Sequence, residues 1–170
     1  MKKYTKIEKL EYREYKHSDF KDVFAIFCQF QANSPIDSHK NVCEGASETF
    51  KHMYLLSEFE KTINRCSKKY IAFIPETGET IGFAIFSENY YSKNCLELQL
   101  ACKKPKYIFS KCMKDTLFSV INEIKGDRKV VAVLGGRYKF EKYMKFIKRI
   151  IKVKIIKVDQ FKNTMVEILI

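Results

Sequence analysis

Hydrophobic residues along the chain switch several times between a helical and an alternating spacing. The stretch from Glu8 to Glu14 alternates and predicts a first strand. Ser18 and Asp19 then offer an N-cap and an acidic residue in the first turn of a helix. The hydrophobic stripe of that helix consists of Phe20, Val23, Phe24, Phe27 and Phe30.

A second helix is predicted from about Ser47 to Cys66, after a loop or broken helix between Ala32 and Gly45. The side chains expected to face the interior are Phe50, Met53, Tyr54, Phe59 and Ile63. Alternation then returns, and a hairpin is predicted from strands at Tyr70–Ile74 and Thr80–Ser87. Gly78 lies in the turn between them, at a position that suits a positive φ.

The next strand has a regular alternating pattern. Leu96, Leu98, Leu100 and Cys102 are apolar, and Glu97, Gln99 and Ala101 lie between them. This pattern is typical of a strand with one buried face, so Glu97 and Gln99 are expected on a half-exposed polar face. Together with the hairpin, this strand is predicted to form an antiparallel meander.

The second half of the chain predicts alternating helices and strands. A helix is predicted from Ser110 to Ile124, and a strand buried on both faces at Lys129–Leu134. Another helix follows at Tyr138–Ile150, and the strands Val153–Val158 and Thr164–Ile170 are expected to pair antiparallel. The residues expected on the inner face of the first of these helices are Met113, Leu117, Val120, Ile121 and Ile124.

These elements give the order β-α-α-β-β-β-α-β-α-β-β. The fold class is therefore α+β, with a mixed sheet that carries helices on both faces. The strand-helix-strand unit in the second half predicts a right-handed crossover between parallel strands. A length of 170 residues suits a single domain over 1–170.

Composition narrows the class of protein. Hydrophobic residues make up 46% and charged residues 31%, which is typical of a globular domain. No apolar run approaches the roughly 18–20 residues of a membrane span, and no secretory signal follows Met1, so a cytoplasmic protein is expected. The six cysteines form no C-x-x-C pair, and the three histidines complete no zinc spacing, so reduced thiols and no metal are expected.

The net charge of +12 favours anionic partners. Only five of the 32 basic residues are arginine, and lysine gives a diffuse charge that is less suited to bidentate recognition of phosphate or of a base. A solvated basic surface is therefore the favoured interpretation. A nucleic acid or an acidic protein as partner stays an open alternative that rests on charge alone.

The order of elements resembles that of the GCN5-related N-acetyltransferases (GNAT) over nearly the whole chain. Residues Tyr15–Phe20 resemble the opening of that family, a strand followed by a Ser/Asp-capped helix. Glu76–Ala84 resembles its hairpin, and Leu96–Tyr107 its fourth strand and the approach to the acyl-CoA loop. The resemblance implies an N-acetyltransferase that uses acetyl-CoA, needs no metal, and acts on an amine-bearing small molecule or protein.

The family's cofactor motif, Q/R-x-x-G-x-G/A, follows the fourth strand. Its small residues let backbone N–H groups approach the pyrophosphate of coenzyme A at a helix N-terminus. The matching stretch here, Ile108 to Met113, contains no glycine, and the side chains of Lys111 and Met113 are expected to project into the cradle. Lysines at 103, 104, 106 and 111 are expected to supply charge to the phosphates. The cofactor contacts implied by the resemblance are Leu100, Cys102, Ile108, Ser110, Lys111, Cys112 and Met113.

Two residues match the family's catalytic positions. The resemblance implies that Glu97 deprotonates the amine and that Tyr143 protonates the departing thiolate, while N–H groups of the fourth strand polarise the thioester carbonyl. The residues alone favour other roles. Glu97 fits a half-exposed polar face, and Tyr143 fits the hydrophobic face of its predicted helix, beside Phe140 and Met144.

A second function stays open beside acyl transfer. It is a catalytically inactive GNAT-fold module with a binding or structural role, similar to small GNAT-like proteins of tailed phages. Such a module would associate with a virion or with nucleic acid, and would be found in the host cytoplasm or in the virion.

Overall fold

The helices and strands of the computed structural model follow the predicted order. The residues that it describes are 7–33, 45–107, 109–134, 145, 148–149, 151–160 and 163–170, with the backbone alone for Asn33 and Leu134. The elements are β1 (Glu11–Glu14), a 3-10 turn (His17–Asp19), α1 (Phe20–Asn33), α2 (Glu48–Arg65), β2 (Lys68–Phe73), β3 (Thr80–Glu88), β4 (Cys95–Lys103), α3 (Lys111–Lys125), β5 (Lys129–Leu134), β6 (Lys152–Val158) and β7 (Thr164–Leu169). The helix predicted at Tyr138–Ile150 lies mostly outside the described residues.

One mixed sheet contains the seven strands of the described residues, in the order β1-β2-β3-β4-β5-β7-β6. The pairs β1–β2, β2–β3 and β3–β4 are antiparallel, and the last two confirm the predicted meander. Strands β4 and β5 are parallel and are joined through α3, and β7 pairs antiparallel with both β5 and β6. The α+β fold with a mixed sheet is therefore confirmed.

Polar side chains make hydrogen bonds at the starts of α1 and α2. Ser47 Oγ accepts a hydrogen bond from the backbone N–H of Phe50 at 3.2 Å at the start of α2. Before α1, the carboxylate of Asp19 accepts a hydrogen bond from the backbone N–H of Lys16 and two from the guanidinium of Arg13, each at 2.8 Å. Asp19 thus ties the beginning of α1 to the end of β1.

Both faces of the sheet carry a hydrophobic core. On the face covered by α3, the buried residues include Phe86, Leu96, Val120, Ile121, Val130 and Val166. On the face covered by α1 and α2, they include Val23, Ile26, Phe59, Ile63, Ile71 and Ile85. Because helices cover both sides, Val130 and Val131 in β5 are both buried, as predicted for that strand.

The first turns of α2 differ from the prediction. Phe50 is 50% exposed and Met53 is 64% exposed, so neither faces the interior. The fully buried contacts of this helix lie in its second half, at Phe59 and Ile63. Helical spacing gives the direction of a side chain but not how far the core extends along the helix. Within the described part of the chain, no helix is long and apolar enough to cross a membrane.

Strand β4 contains one extra residue relative to β3. Ile85 pairs with Leu100 and Phe86 pairs with Leu98, so Gln99 is left over as a β-bulge. Leu96 and Leu98 consequently pack in the core under α3, whereas Leu100 and Cys102 pack in the core under α1 and α2. The prediction of a single apolar face along β4 is therefore wrong, because one inserted residue reverses the alternation.

Candidate functional site

Strands β4 and β5 separate in the middle of the sheet. Their pairing runs only from Cys95 opposite Lys129 to Leu98 opposite Ala132. Beyond that point β4 continues to Lys103, paired with β3 on its other side, while the last residues of β5 pair with β7. The separation begins next to the bulge at Gln99, where extra twist bends a strand away from its neighbour. A gap therefore opens between the two strands, beside the carboxyl-terminal half of β4.

Beyond the bulge, the side chains of Leu100 and Cys102 point into the core and not into this gap. Leu100 is half-buried and Cys102 is buried, and both pack against α1 and α2. Burial raises the pKa of the Cys102 thiol. Leu100 and Cys102, which are two of the predicted cofactor residues, can therefore contact a molecule in the gap through their backbone groups only. Ala101, which lies between them, is exposed.

Helix α3 begins directly after the segment that follows β4. Ser110 is its N-cap, and Ser110 Oγ accepts a hydrogen bond from the backbone N–H of Met113 at 3.4 Å. Lys111 is exposed and Cys112 is half-buried. Their N–H groups belong to the first turn, where the helix supplies no acceptor. This helix end is therefore a positive pole, and the described residues provide no recorded acceptor for these two N–H groups. Ile108, which was predicted beside it, lies outside the described residues.

Met113 does not project into the space at the helix end. Its side chain is buried in a small core with Ile7, Ile81 and Tyr107. The expectation that Met113 obstructs a phosphate cradle is therefore wrong. The physical reason is that α3 turns its first hydrophobic position toward the sheet, where burial of a methionine side chain is favourable.

Three of the four lysines expected beside the phosphates are held by protein groups. Lys103 Nζ donates to the backbone oxygen of Tyr107 at 2.5 Å, and burial lowers the pKa of Lys103. Lys104 and Lys106 both pair with the carboxylate of Glu79, at 2.7 and 2.8 Å. Lys111 is the member of this group that lies exposed at the start of α3.

Glu97 is fully buried, with 0% of its surface exposed. Its Oε2 accepts hydrogen bonds from Ser87 Oγ and from the backbone N–H of Tyr90, both at 2.8 Å. Its Oε1 accepts from the N–H groups of Tyr91 and Ser92, at 2.5 and 3.1 Å. The interpretation of Glu97 as part of a half-exposed face is wrong, because the loop between β3 and β4 folds over it. Its assignment as the base stays a prediction.

A network of polar side chains connects Glu97 to the bulge. Gln99 Nε2 donates to Ser87 Oγ at 2.7 Å, and the Ser87 hydroxyl donates to Glu97. Arg65 Nη2 donates to Gln99 Oε1 at 3.3 Å, and Arg65 Nη1 donates to the Tyr90 hydroxyl at 3.4 Å. The guanidinium carbon also lies 4.8 Å from the centre of the Tyr90 ring. Sequence analysis missed Arg65 and Tyr90, and the one available signal was the scarcity of arginine in the chain.

Three further features concern the predicted acid, a groove and metal binding. Tyr143, the predicted acid, is outside the described residues. A groove of about 760 Å³ runs between residues 7–12 and the side of α3 that faces β1, and Ser110, Lys111 and Cys112 form part of its wall. The described residues contain no cluster of histidine, cysteine and carboxylate side chains suited to a metal ion.

Solved structures of acetyltransferases have the same arrangement of helices and strands. PaiA N-acetyltransferase from Thermoplasma acidophilum, in complex with coenzyme A, superposes with a TM-score of 0.63 at 18% identity over 94% of this chain and 98% of its own. A GNAT-family acetyltransferase from Bacillus cereus superposes with a TM-score of 0.56 at 12% identity over 95% and 96% of the two chains. The chain has the GNAT fold.

A third acetyltransferase of this fold was solved with its substrate and coenzyme A bound. It is the diaminobutyrate acetyltransferase EctA from Paenibacillus lautus in complex with L-2,4-diaminobutyric acid and coenzyme A, with a TM-score of 0.53 at 12% identity over 94% of each chain. No protein-family model matches the sequence, and no curated protein is significantly similar to it. The likeness is therefore one of fold.

Proposed function

We propose that this GNAT-fold chain is an acyl-CoA-dependent N-acyltransferase that transfers an acetyl group to an amine. The observation that carries the proposal is the gap between β4 and β5. Beyond Leu98 the backbone of β4 has no strand beside it on the β5 side among the described residues. Backbone N–H and C=O groups need partners, and the amide-containing arm of coenzyme A is an extended chain that can supply them.

The anionic end of coenzyme A fits the start of α3. The first-turn N–H groups of Lys111 and Cys112 are donors at the positive end of the helix dipole. The Lys111 side chain adds a positive charge, and the buried Met113 leaves the helix end open. These features support phosphate binding without a glycine in the segment.

When bound, acetyl-CoA supplies an activated thioester. In the proposed reaction the amine nitrogen forms the new C–N bond, the C–S bond breaks, and the proton lost by the nitrogen balances the proton taken up by the thiolate. Tyr143 stays the predicted donor of the proton that the thiolate takes up. Backbone N–H groups of β4 beside the gap are the proposed donors to the thioester carbonyl.

For Glu97 we propose a positioning role instead of that of a base. A base needs an oxygen lone pair directed toward the substrate, whereas each oxygen of Glu97 accepts two hydrogen bonds from the protein. These bonds hold the loop that follows β3 in place next to the bulge. The amine proton then leaves to water or to a group other than Glu97.

The alternative is a GNAT-fold module without catalysis that binds a virion component or nucleic acid. Two observations favour it: the segment before α3 lacks glycine, and Lys103, Lys104 and Lys106 are engaged by protein groups. The two functions differ in whether coenzyme A binds at all. For either function we propose a cytoplasmic location, where the free thiols of Cys66 and Cys95 stay reduced.

Calorimetric titration with acetyl-CoA tests the proposal. The wild-type chain should bind in the micromolar range, and Lys111→Glu should weaken binding about tenfold, because it replaces an attractive charge with a repulsive one. Lys93→Glu, which makes the same change of charge in the exposed loop before β4, is the control. Ala101→Phe should also weaken binding, because it fills the space beside β4, and its melting temperature reports whether the fold is intact.

Turnover is measured by release of the coenzyme A thiol in the presence of a panel of amines. Binding together with thiol release supports acyl transfer. An absence of heat at millimolar acetyl-CoA would contradict it and leave the binding module. For that module, affinity for nucleic acid must fall steeply with salt, since phosphate contacts release counterions.

A further inference from the structure

We propose that Arg65 selects acceptor amines that carry a carboxylate group. This inference rests on the proposed function and names the class of substrate that the same site would accept. Arg65 is the last residue of α2, and its guanidinium reaches Gln99, the bulge residue. Gln99 follows Leu98, the last residue of β4 that is paired with β5. A positive charge therefore lies at the point where the gap opens.

The guanidinium of Arg65 has donors to spare. Its hydrogen bonds within the described residues go to neutral groups, which are the Gln99 amide oxygen at 3.3 Å, the Tyr90 hydroxyl at 3.4 Å and the Cys66 thiol. An arginine carries five N–H donors in a planar fork, and that fork matches a carboxylate in a bidentate pair. These neutral acceptors leave the fork without a carboxylate partner among the described residues.

Two other arginines in the described part of the chain are paired with carboxylates. Arg13 forms a bidentate pair with Asp19, and Arg128 pairs with Glu88. For Arg65 the described residues provide no carboxylate within ion-pair distance. Glu97 is the nearest buried acid in the network, and its four hydrogen bonds come from Ser87 and from the loop amides. The charge of Arg65 therefore remains available to a ligand.

The ring of Tyr90 lies against the guanidinium, and the ring of Tyr91 extends the aromatic surface beside it. The Arg65 guanidinium lies over the Tyr90 ring, and Tyr91 packs edge-on against Tyr90 with 4.7 Å between ring centres. The two tyrosines are 50% and 48% exposed. Stacking on an aromatic ring limits the motion of an arginine side chain and lowers the entropy lost on binding. The exposed rings offer an apolar surface to the methylene groups of an acceptor.

This arrangement favours amines that also carry a carboxylate over amines that do not. A carboxylate bound at Arg65 directs the rest of the molecule along the tyrosine rings and toward the gap, where the proposed thioester lies. An amine without a carboxylate lacks this anchor. The expected substrates are therefore amino acids or related amino carboxylates, and the matched molecules that test the idea are amines that lack only the carboxylate.

The direct test is NMR of the arginine side chain Nε–Hε signals in the full-length chain, with the Arg65 signal assigned from Arg65→Lys. The ligands are the pairs lysine and cadaverine, and 4-aminobutyrate and propylamine. At least one carboxylated ligand should shift the Arg65 signal to saturation, and its partner should not. No shift with either carboxylated ligand, or equal shifts within a pair, would overturn the inference. An equal shift with phosphoethanolamine would overturn the preference for carboxylate over phosphate.

The kinetic test uses the ratio of kcat/KM between the members of a pair. Arg65→Ala and Arg65→Lys should lower that ratio about 10- to 100-fold, mainly through KM, because each loses the bidentate charge-assisted pair. Lys61→Ala, which removes a positive charge from an exposed position of α2, should leave the ratio as in the wild-type chain. A ratio that Arg65→Ala does not change would overturn the inference. If acetyl-CoA does not bind, the proposed function fails, whereas the NMR result still decides whether Arg65 binds a carboxylate.

Discussion

Glu79, in the turn between β2 and β3, lies 2.7 Å from Lys104, in the segment that follows β4. Its carboxylate also accepts a hydrogen bond from the Tyr107 hydroxyl at 2.8 Å and pairs with Lys106. Hydrogen bonds from Lys104 and Lys106 lower the pKa of Glu79 from 4.5 to about 2. Glu79 therefore fixes the segment that leads from β4 into α3.

The first prediction concerns Glu79→Gln. A carboxylate whose pKa is lowered by folding stabilises the protein above its unfolded-state pKa, and this contribution is lost as the pH falls through the folded-state value. Glu79→Gln should lower the free energy of unfolding by about 1–3 kcal/mol at neutral pH. The difference from the wild-type chain should shrink between pH 4.5 and about 2. Urea unfolding at several pH values measures it.

The control for this variant is Glu76→Gln, an exposed position in the same turn. It should change the free energy of unfolding little at any pH, because a solvated carboxylate contributes little to stability. A Glu79→Gln penalty that stays constant down to pH 2 would show that the charge of Glu79 is not what holds the segment.

The second prediction concerns the close approach of β3 and β4 at Gly82. A Cβ atom there would lie 2.5 Å from the backbone oxygen of Cys102. Gly82→Ala should therefore push the carboxyl-terminal half of β4 away, at a cost of about 1–3 kcal/mol. Since this half borders the gap, affinity for acetyl-CoA should fall as well, as calorimetry would measure.

Gly126→Ala is the comparison for that variant. Gly126 has a φ of +54° at the end of α3, and a Cβ atom added there would meet no atom within 4 Å. The substitution should cost about 1–2 kcal/mol through backbone strain but leave the acetyl-CoA affinity as it is. Equal losses of affinity in the two variants would indicate a general loss of stability instead of a local shift of β4.

The third prediction separates a positioning role of Glu97 from that of a base. Glu97→Ala leaves three loop N–H groups without their acceptor, so about 3 kcal/mol or more of stability should be lost. Hydrogen exchange at Tyr90, Tyr91 and Ser92 should accelerate. Lys93→Ala, an exposed change in the same loop, should leave these amides protected. Unchanged protection in Glu97→Ala would contradict the positioning role.

The fourth prediction concerns thiol reactivity. The thiolate is the reacting form of cysteine, and burial raises the pKa of Cys102. Iodoacetamide should therefore label the half-buried Cys112 well before Cys102, and the difference should vanish in denaturant. Acetyl-CoA should slow the labelling of Cys112 if its phosphates bind at the start of α3. Mass spectrometry of peptides measures both rates, and equal native rates would contradict the burial of Cys102.

Much of the fold follows from local patterns. The alternating runs predicted the meander, Gly78 has the expected positive φ of 69°, and the continuous apolar run in β5 is buried on both faces. These features depend on residues that are close in sequence. The spacing of hydrophobic residues and the presence of turn-forming residues reflect such local preferences directly.

The site depends on contacts that no local pattern records. The bulge at Gln99 arises from the register between β3 and β4, and the burial of Glu97 arises because a loop folds over it. The contact between Arg65 and Gln99 joins two residues that are 34 positions apart. The position of Met113 in the core likewise depends on Ile7 and Ile81, from other parts of the chain.

The extra residue in β4 limits which insertions and deletions the chain can accept in and near this strand. Because of it, the first half of the strand belongs to one hydrophobic layer and the second half to the other. Deleting Gln99 would remove the bulge but keep Leu98 and Leu100 on opposite faces of the sheet, with the partners that they have now. Deleting Ala101 instead would turn the side chains beyond it to the other face. The loop before Cys95 is constrained as well, because its N–H groups at Tyr90, Tyr91 and Ser92 bind the carboxylate of Glu97. Among single-residue deletions in the second half of β4, loss of the bulge residue is therefore the one expected to preserve both hydrophobic layers.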